Sequence, residues 1–266
     1  MRKKGIAMDR LKKTGTKEWA ETNINIQLGC EHNCRYCYAR YDAVKRFRRC
    51  SAEGWANPVI DQAKVDREYR KFSGRVMFPS THDITPRNIS ECMVVLRRLL
   101  DAGNDVLIVT KPHWKCVTLM CEMFKRFRRQ ITFRFTIGST QNDVLRFWEP
   151  GAPNYNERLG CLIYAFHTGY STSVSCEPFL GPFPQYTYEA VVKYLTDSFW
   201  LGKMRNFNQR VDLAGATESQ KLRYVELLKT ASLDQCVMAY YRMLKDRPYV
   251  KFKDSVRKIV EKHKEK

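Results

Sequence analysis

Long apolar runs are missing from this sequence: nowhere in its 266 residues do about 18 apolar side chains follow one another, so hydropathy offers no membrane-spanning helix. The basic N-terminus leads into no apolar stretch of signal-peptide length either. Both absences point to a soluble, cytoplasmic protein with no membrane partner. Fixed-period repeats and low-complexity tracts are absent, which excludes solenoids and propellers, and no Gly/Ser linker divides the chain into independent halves. Cysteine, at ten residues, is too sparse for a disulfide scaffold. A second CxxC, the partner that a structural zinc site normally requires, does not occur. Acidic side chains are scarce too, 28 against 47 basic ones, and the resulting charge of +19 gives a positive field attractive to phosphate polymers or anionic lipid.

What is present suits one large folded unit. Hydrophobic residues make up 44% of the chain and aromatics 12%, enough apolar surface for a packed core. The positive charge is clustered. Residues 2–17 hold Arg2, Lys3, Lys4, Arg10, Lys12, Lys13 and Lys17 against Asp9 alone; 35–49 hold Arg35, Arg40, Lys45, Arg46, Arg48 and Arg49 against Asp42; a third knot is Lys125, Arg126, Arg128, Arg129 and Arg134.

Two periodicities alternate along the chain. Short β-branched or aromatic runs at 24–28, 75–78, 106–109, 131–137, 171–176 and 198–201 read as strands. Between them the apolar positions recur at helical spacing, as in Ile89, Cys92, Met93, Leu96 and Leu99, or Val117, Met120, Cys121 and Phe124. Asn88 with Glu91 and Asn154 with Glu157 have capping-box spacing, and Gly103 and Gly169 stand where helices should stop. Six strand–helix units with right-handed parallel connections predict an α/β fold, a partial TIM barrel of the (β/α)6 kind. The expected organisation is a basic N-terminal segment over 1–21, the barrel over 22–215, and a basic helical C-terminal extension over 216–266.

Three of the ten cysteines, Cys30, Cys34 and Cys37, crowd into eight positions between the first strand and the first helix. The spacing CxxxCxxC places three thiolates on one tight loop. Three soft ligands can hold three irons of a cubane and leave the fourth iron open to a cofactor. The competing reading is zinc held by the same three thiolates with His32 as fourth ligand.

The string GCxHxCxYCYA, with Ser80-Thr81-His82-Asp83 after the second strand, Thr110-Lys111-Pro112 after the third and Trp148-Glu149-Pro150-Gly151-Ala152-Pro153, resembles the radical S-adenosylmethionine (SAM) superfamily, nearest its spore photoproduct lyase-like branch. The resemblance covers roughly residues 22–205. It implies a 4Fe–4S cluster on Cys30, Cys34 and Cys37, SAM as second cofactor, reductive cleavage of SAM to methionine and a 5'-deoxyadenosyl radical, and an external electron donor such as flavodoxin or ferredoxin.

Chemistry in such barrels gathers at the C-terminal ends of the strands. Thr81, His82 and Asp83, Thr110 and Lys111, Ser139, Glu177 and Lys203 all fall there in the sequence. By resemblance, His82 and Asp83 meet the SAM amino group, Lys111 and Ser139 its carboxylate, and Tyr36 its adenine, while Glu177 and Lys203 are candidate SAM or substrate contacts. One departure bears on the reaction. Photoproduct lyases have a hydrogen-donating cysteine just before their Thr-Ser-Asp turn; Ser80 stands there in this chain, and a hydroxyl is a poor hydrogen-atom donor. Cys176 is a candidate replacement, although a small buried side chain at that position is the simpler reading.

The clustered cations suggest an enzyme that repairs or modifies a base in DNA or RNA, whether lyase-like, isomerase or base-modifying. The alternatives are a radical SAM enzyme for a small metabolite or peptide, and a non-catalytic cluster protein that binds nucleic acid.

Overall fold

The computed structural model describes residues 13–264; Arg2, Lys3, Lys4, Arg10 and Lys12 of the first basic cluster lie outside them. Nine strands follow one another among the described residues: β1 Thr22–Asn23, β2 Gln27–Leu28, β3 Val59–Ile60, β4 Val76–Phe78, β5 Val106–Thr110, β6 Ile131–Thr136, β7 Ser171–Cys176, β8 Phe199–Leu201 and β9 Val250–Phe252. Seven of them form one sheet in the order β1-β4-β5-β6-β7-β8-β9. Every pairing in that sheet is parallel. Strand order thus follows chain order, as successive right-handed crossovers require, and the sheet curls into a partial barrel with helices outside. Among the described residues no helix is long and apolar enough to cross a membrane.

The sequence expectation of six strands falls short by one. Val250–Phe252 is three residues long, with Lys251 at its centre and Lys253 after it, too brief for a strand signal, yet it pairs with β8. The segment expected to be wholly helical therefore also supplies a sheet edge. The first strand is displaced as well. The barrel ladder uses Thr22–Asn23, and Gln27–Leu28 turn away to pair antiparallel with Val59–Ile60. Asn25 explains where the chain departs: its Oδ1 accepts from the amides of Ser80 and Thr81 at 2.7 and 2.8 Å, so it shapes the turn after β4.

Helix ends follow local chemistry with one exception. Gly103 and Gly169 take positive φ, 77° and 81°, beyond the helices Ile89–Asp101 and Tyr155–His167. Asn154 accepts from the Glu157 amide at 2.9 Å. Asn88 does not cap; its Nδ2 donates to Gln27 Oε1 at 2.8 Å and to the Asp83 carbonyl at 3.0 Å, because the neighbouring loops offer it better partners.

The N-terminal segment closes the open side of the barrel. Glu18 accepts from Arg257 at 2.8 Å and pairs with Lys253 at 3.2 Å, just beyond β9, while Glu21 accepts from the Arg75 amide at 3.0 Å ahead of β4. Between these anchors the Trp19 ring meets Trp200 at 6.0 Å, edge to face. The third basic cluster goes elsewhere. Lys125–Gln130 precede β6 and so stand at the N-terminal rim of the sheet, opposite the cysteine loop.

Candidate active site

The cysteine loop is built on backbone that few residues tolerate. Gly29 has φ 94°, and a Cβ there would stand 2.6 Å from the Trp55 carbonyl oxygen. Asn33, at φ 44°, donates its amide to the Cys30 carbonyl at 3.1 Å, and Cys37 donates to the Cys34 carbonyl at 3.2 Å. The turn so formed brings all three sulfurs to the wall of one cavity of about 780 Å³.

Residues 147–151 hold this loop from behind. Arg35 donates its amide to the Trp148 carbonyl at 2.9 Å and its Nε to the Phe147 carbonyl at 2.8 Å; the Gly151 amide donates to the His32 carbonyl at 3.1 Å. Gly151 lies so close that a Cβ would come within 2.4 Å of the Glu31 carbonyl oxygen. The Tyr36 hydroxyl donates to Glu149, which is paired with the fully buried Arg158 at 2.5 Å. The Trp-Glu-Pro-Gly motif is thus the brace of the cysteine turn.

Burial pushes the Cys30 thiol up to about 12 and raises Cys34 and Cys37 as well, while the Lys111 ammonium pulls all three in the opposite direction. Metal binding at such thiols would be coupled to release of their protons. Lys111 reaches Asp83 at 3.3 Å, and its amide donates to the other carboxylate oxygen at 2.8 Å. Burial works against the Asp83 carboxylate, but Lys111 and His32 outweigh it and hold the group well below the usual range. Lys111 in turn is raised by Asp83 despite its own burial.

The four-ligand zinc reading meets an obstacle here. His32 is fully buried, and both ring nitrogens are taken, Nδ1 by Asp83 at 2.9 Å and Nε2 by His113 at 2.8 Å. Cys30, His32 and Asp83 do cluster within 4.8 Å. That cluster is already an internally paired hydrogen-bonded set, with Lys111 neutralising its charge.

No family model matches the chain. An uncharacterized protein of Acidianus two-tailed virus is 27% identical over 176 residues, 62% of this chain and 56% of its own. An uncharacterized protein of Methanocaldococcus jannaschii is 25% identical over 161 residues, 59% of this chain and 60% of its own. The chain therefore spans about three fifths of the length of the curated relatives it matches. A spore photoproduct lyase mutant, solved with bound AdoMet and a dinucleoside spore photoproduct, superposes with a TM-score of 0.56 over 92% of this chain and 79% of the other, at 15% identity. The fold is the partial barrel that this lyase shares.

In this barrel the cavity brings together Tyr36, Thr81, His82, Asp83, Lys111, Glu177 and Lys203 with the three cysteines. It does not include Thr110, Ser139 or Cys176. The Thr110 hydroxyl accepts from the Ile84 amide at 3.0 Å and secures the turn after β4, and the Ser139 hydroxyl accepts from the Gln141 amide at 3.1 Å. Cys176 faces the helices because side chains alternate along β7, its Sγ lying 3.9 Å from the Gly138 carbonyl. A hydrogen-donor role for Cys176 does not fit that position.

The same alternation turns Ser175 inward, and its buried hydroxyl lines the cavity with no hydrogen-bond partner among the described residues. Sequence reasoning passed over it, although Ser171, Ser173 and Ser175 form a period-2 polar row. Lys253 was also missed, since its strand was. His82 is neutral, pushed down to about 4 by burial; its Nε2 accepts from the Ile26 amide at 3.3 Å, which leaves Nδ1 to donate to the Asp83 carbonyl at 3.1 Å.

Glu177 pairs with Lys253 at 3.4 Å, and burial, aided by Glu18 and Asp254 and opposed by Lys253, raises its carboxyl to about 7. The folded state thus binds this proton more tightly than the unfolded chain does. Its stabilising contribution is present below the ordinary carboxylate pKa and is lost as pH rises through about 7. Glu177→Gln is expected to remove that component, so that the fall in denaturation midpoint between about pH 5 and pH 8 is shallower than in the parent. Equal slopes in the two proteins would show that Glu177 ionises normally.

Proposed function

We propose that the protein is a radical SAM enzyme acting on a base of DNA or RNA, with a 4Fe–4S cluster and SAM as cofactors. The observation that carries this reading is the convergence of three free, mostly buried thiols from one turn on a cavity that also holds the Lys111–Asp83 pair. The donor set suits such a cluster: three sulfurs, a neighbouring ammonium that favours their ionised forms, and a nearby His32 and Asp83 already engaged with each other, with His113 and with Lys111. The buried, unpartnered Ser175 hydroxyl is a further sign that the cavity takes a polar ligand. When bound, cluster and SAM supply a one-electron cleavage that yields methionine and a 5'-deoxyadenosyl radical.

The chain's own residues bind and orient. Asp83 would receive the ammonium of SAM and Lys111 its carboxylate, each exchanging part of their mutual pairing for the ligand's opposite charge. Tyr36, fixed by Glu149, offers a ring edge or face to the adenine. His82 is neutral and contributes hydrogen bonds without charge. Trp19 and the segment around it limit water on the open side. Lys17, Lys203, Arg205 and Arg210 also line the cavity, Arg205 paired with Asp254 and Lys203 near Asp234, while the acids of the cavity, Asp83 and Glu177, are each paired with an internal lysine. That arrangement favours a phosphate-bearing substrate over a neutral metabolite or peptide.

A base in a duplex would have to be extruded to reach the cavity. Low-potential reduction by a flavodoxin or ferredoxin fits a cytoplasmic setting. The test is the anaerobic yield of 5'-deoxyadenosine from reconstituted, reduced protein with and without single-stranded and duplex DNA and RNA. Stimulation by a polymer is the expected result. SAM binding with no cleavage under any condition would leave a non-catalytic protein instead.

A further inference from the structure

The helical stretch that begins at the cavity wall with Tyr38 and Ala39 continues through Tyr41–Arg46 and ends in five consecutive exposed residues, Lys45 to Arg49. Four of the five are cationic, and the fifth, Phe47, is 50% exposed. Single exposed apolar side chains are ordinary. This one differs in its company: the Arg46 and Arg49 guanidiniums lie 4.9 and 5.0 Å from its ring centroid. Helix-end stabilisation accounts for Lys45 and Arg46, which complement the C-terminal dipole. It does not account for Arg48 and Arg49, which lie beyond the helix.

The knob is also well anchored. Arg48 takes the left-handed region at φ 50° and turns the chain back, so that the Phe47 amide donates to the Asp42 carbonyl at 2.8 Å and the Arg49 amide to Ala43 at 2.7 Å. Ala43 packs in the small core shared by Cys30, Ala39 and Trp55. A contact made at Phe47 therefore bears on the same packed unit as the cysteine loop. Phe47 stands nine residues beyond Tyr38, at the far end of the same helical stretch.

We infer that residues 45–49 are a nucleic-acid contact in which the guanidiniums meet phosphates and the Phe47 ring stacks on a base flanking the one drawn into the cavity. The inference rests on the nucleic-acid reading above and adds to it the surface that holds the polymer. A basic side chain neutralises phosphate irrespective of sequence, and an aromatic ring stacks on any base, so the contact would be tolerant of sequence and sensitive to salt.

Phe47→Ala, Phe47→Trp and Arg46→Gln/Arg49→Gln, each reconstituted and matched to the parent in iron content, are compared in binding oligonucleotides that carry 2-aminopurine, single-stranded and duplex, across a salt series. Phe47→Ala is expected to weaken binding by roughly five- to a hundredfold, with Phe47→Trp restoring it. The double arginine variant is expected to flatten the salt dependence by about one to two phosphate contacts. Duplex and single-strand arms separate a wedge between base pairs from simple stacking, and either supports the contact.

Parent-like binding by Phe47→Ala in both arms overturns this inference and leaves the nucleic-acid reading standing. Failure of the parent itself to bind oligonucleotide removes both. If the variants bind oligonucleotide normally but accept electrons more slowly from an acidic flavodoxin, the knob is a docking site for the electron donor and the inference is wrong.

Discussion

Cys34→Ala is expected to yield a colourless protein that retains no 4Fe–4S cluster and forms no 5'-deoxyadenosine from SAM. The reason is the number of ligands. Three sulfurs hold three corners of a cubane, and with two the cluster would have a second corner without a protein ligand. The same outcome is expected for Cys30 and Cys37. Cys236 serves as the comparison, being a partly exposed cysteine on the helix Asp234–Leu244 that does not line the cavity. Cys236→Ala should keep full iron and sulfide content after anaerobic reconstitution. Iron retained undiminished by Cys34→Ala would mean that the metal sits elsewhere.

Arg158→Met is expected to lower stability by about 3–5 kcal/mol, because it leaves the Glu149 carboxylate buried and unpaired. For a domain of this size the loss corresponds to a fall in melting temperature on the order of 10 °C. The effect should extend to the site. Glu149 receives the Tyr36 hydroxyl, and its neighbours Phe147, Trp148 and Gly151 are bonded to the cysteine loop. Denaturant unfolding of the metal-free protein measures the stability term, and iron retention after reconstitution measures the loop. Adding Glu149→Leu to Arg158→Met removes the stranded charge and should recover part of the stability without restoring the Tyr36 contact. A pair of variants as stable as the parent would show that the ion pair does not brace the turn.

The barrel was legible where physical periodicity is strong. Strands β5, β6 and β7 are buried at all but one position each of β5 and β7, and their boundaries differ from the sequence expectation by no more than a residue at either end. β9 was not legible, because three residues are too few for the Val-Lys-Phe alternation to stand out, and they draw their pairing from β8 alone. Its omission also hid Lys253, although a lysine with only 1% of its surface exposed is among the most constrained residues of the cavity.

At the site, the cysteine spacing disclosed the loop, since ligand geometry is written in local sequence. Ser139 and Cys176 were misplaced because nearness to a strand end does not say which way a side chain points. In Cys176 a one-residue shift in strand alternation separates the helix-facing side chain from the cavity-facing Ser175. The brace by 147–151 was visible as a motif and opaque as a function, since its partners lie more than a hundred positions earlier in the chain.

The central claim is that Cys30, Cys34 and Cys37 hold a cluster by three corners and leave the fourth to SAM. Electron paramagnetic resonance of the anaerobically reduced, reconstituted protein, recorded before and after SAM is added, tests it most directly. The expected result is a reduced 4Fe–4S signal that changes shape on SAM addition, with the change much diminished in Lys111→Ala. A protein that carries zinc in place of iron, or a cluster signal indifferent to SAM, would contradict it.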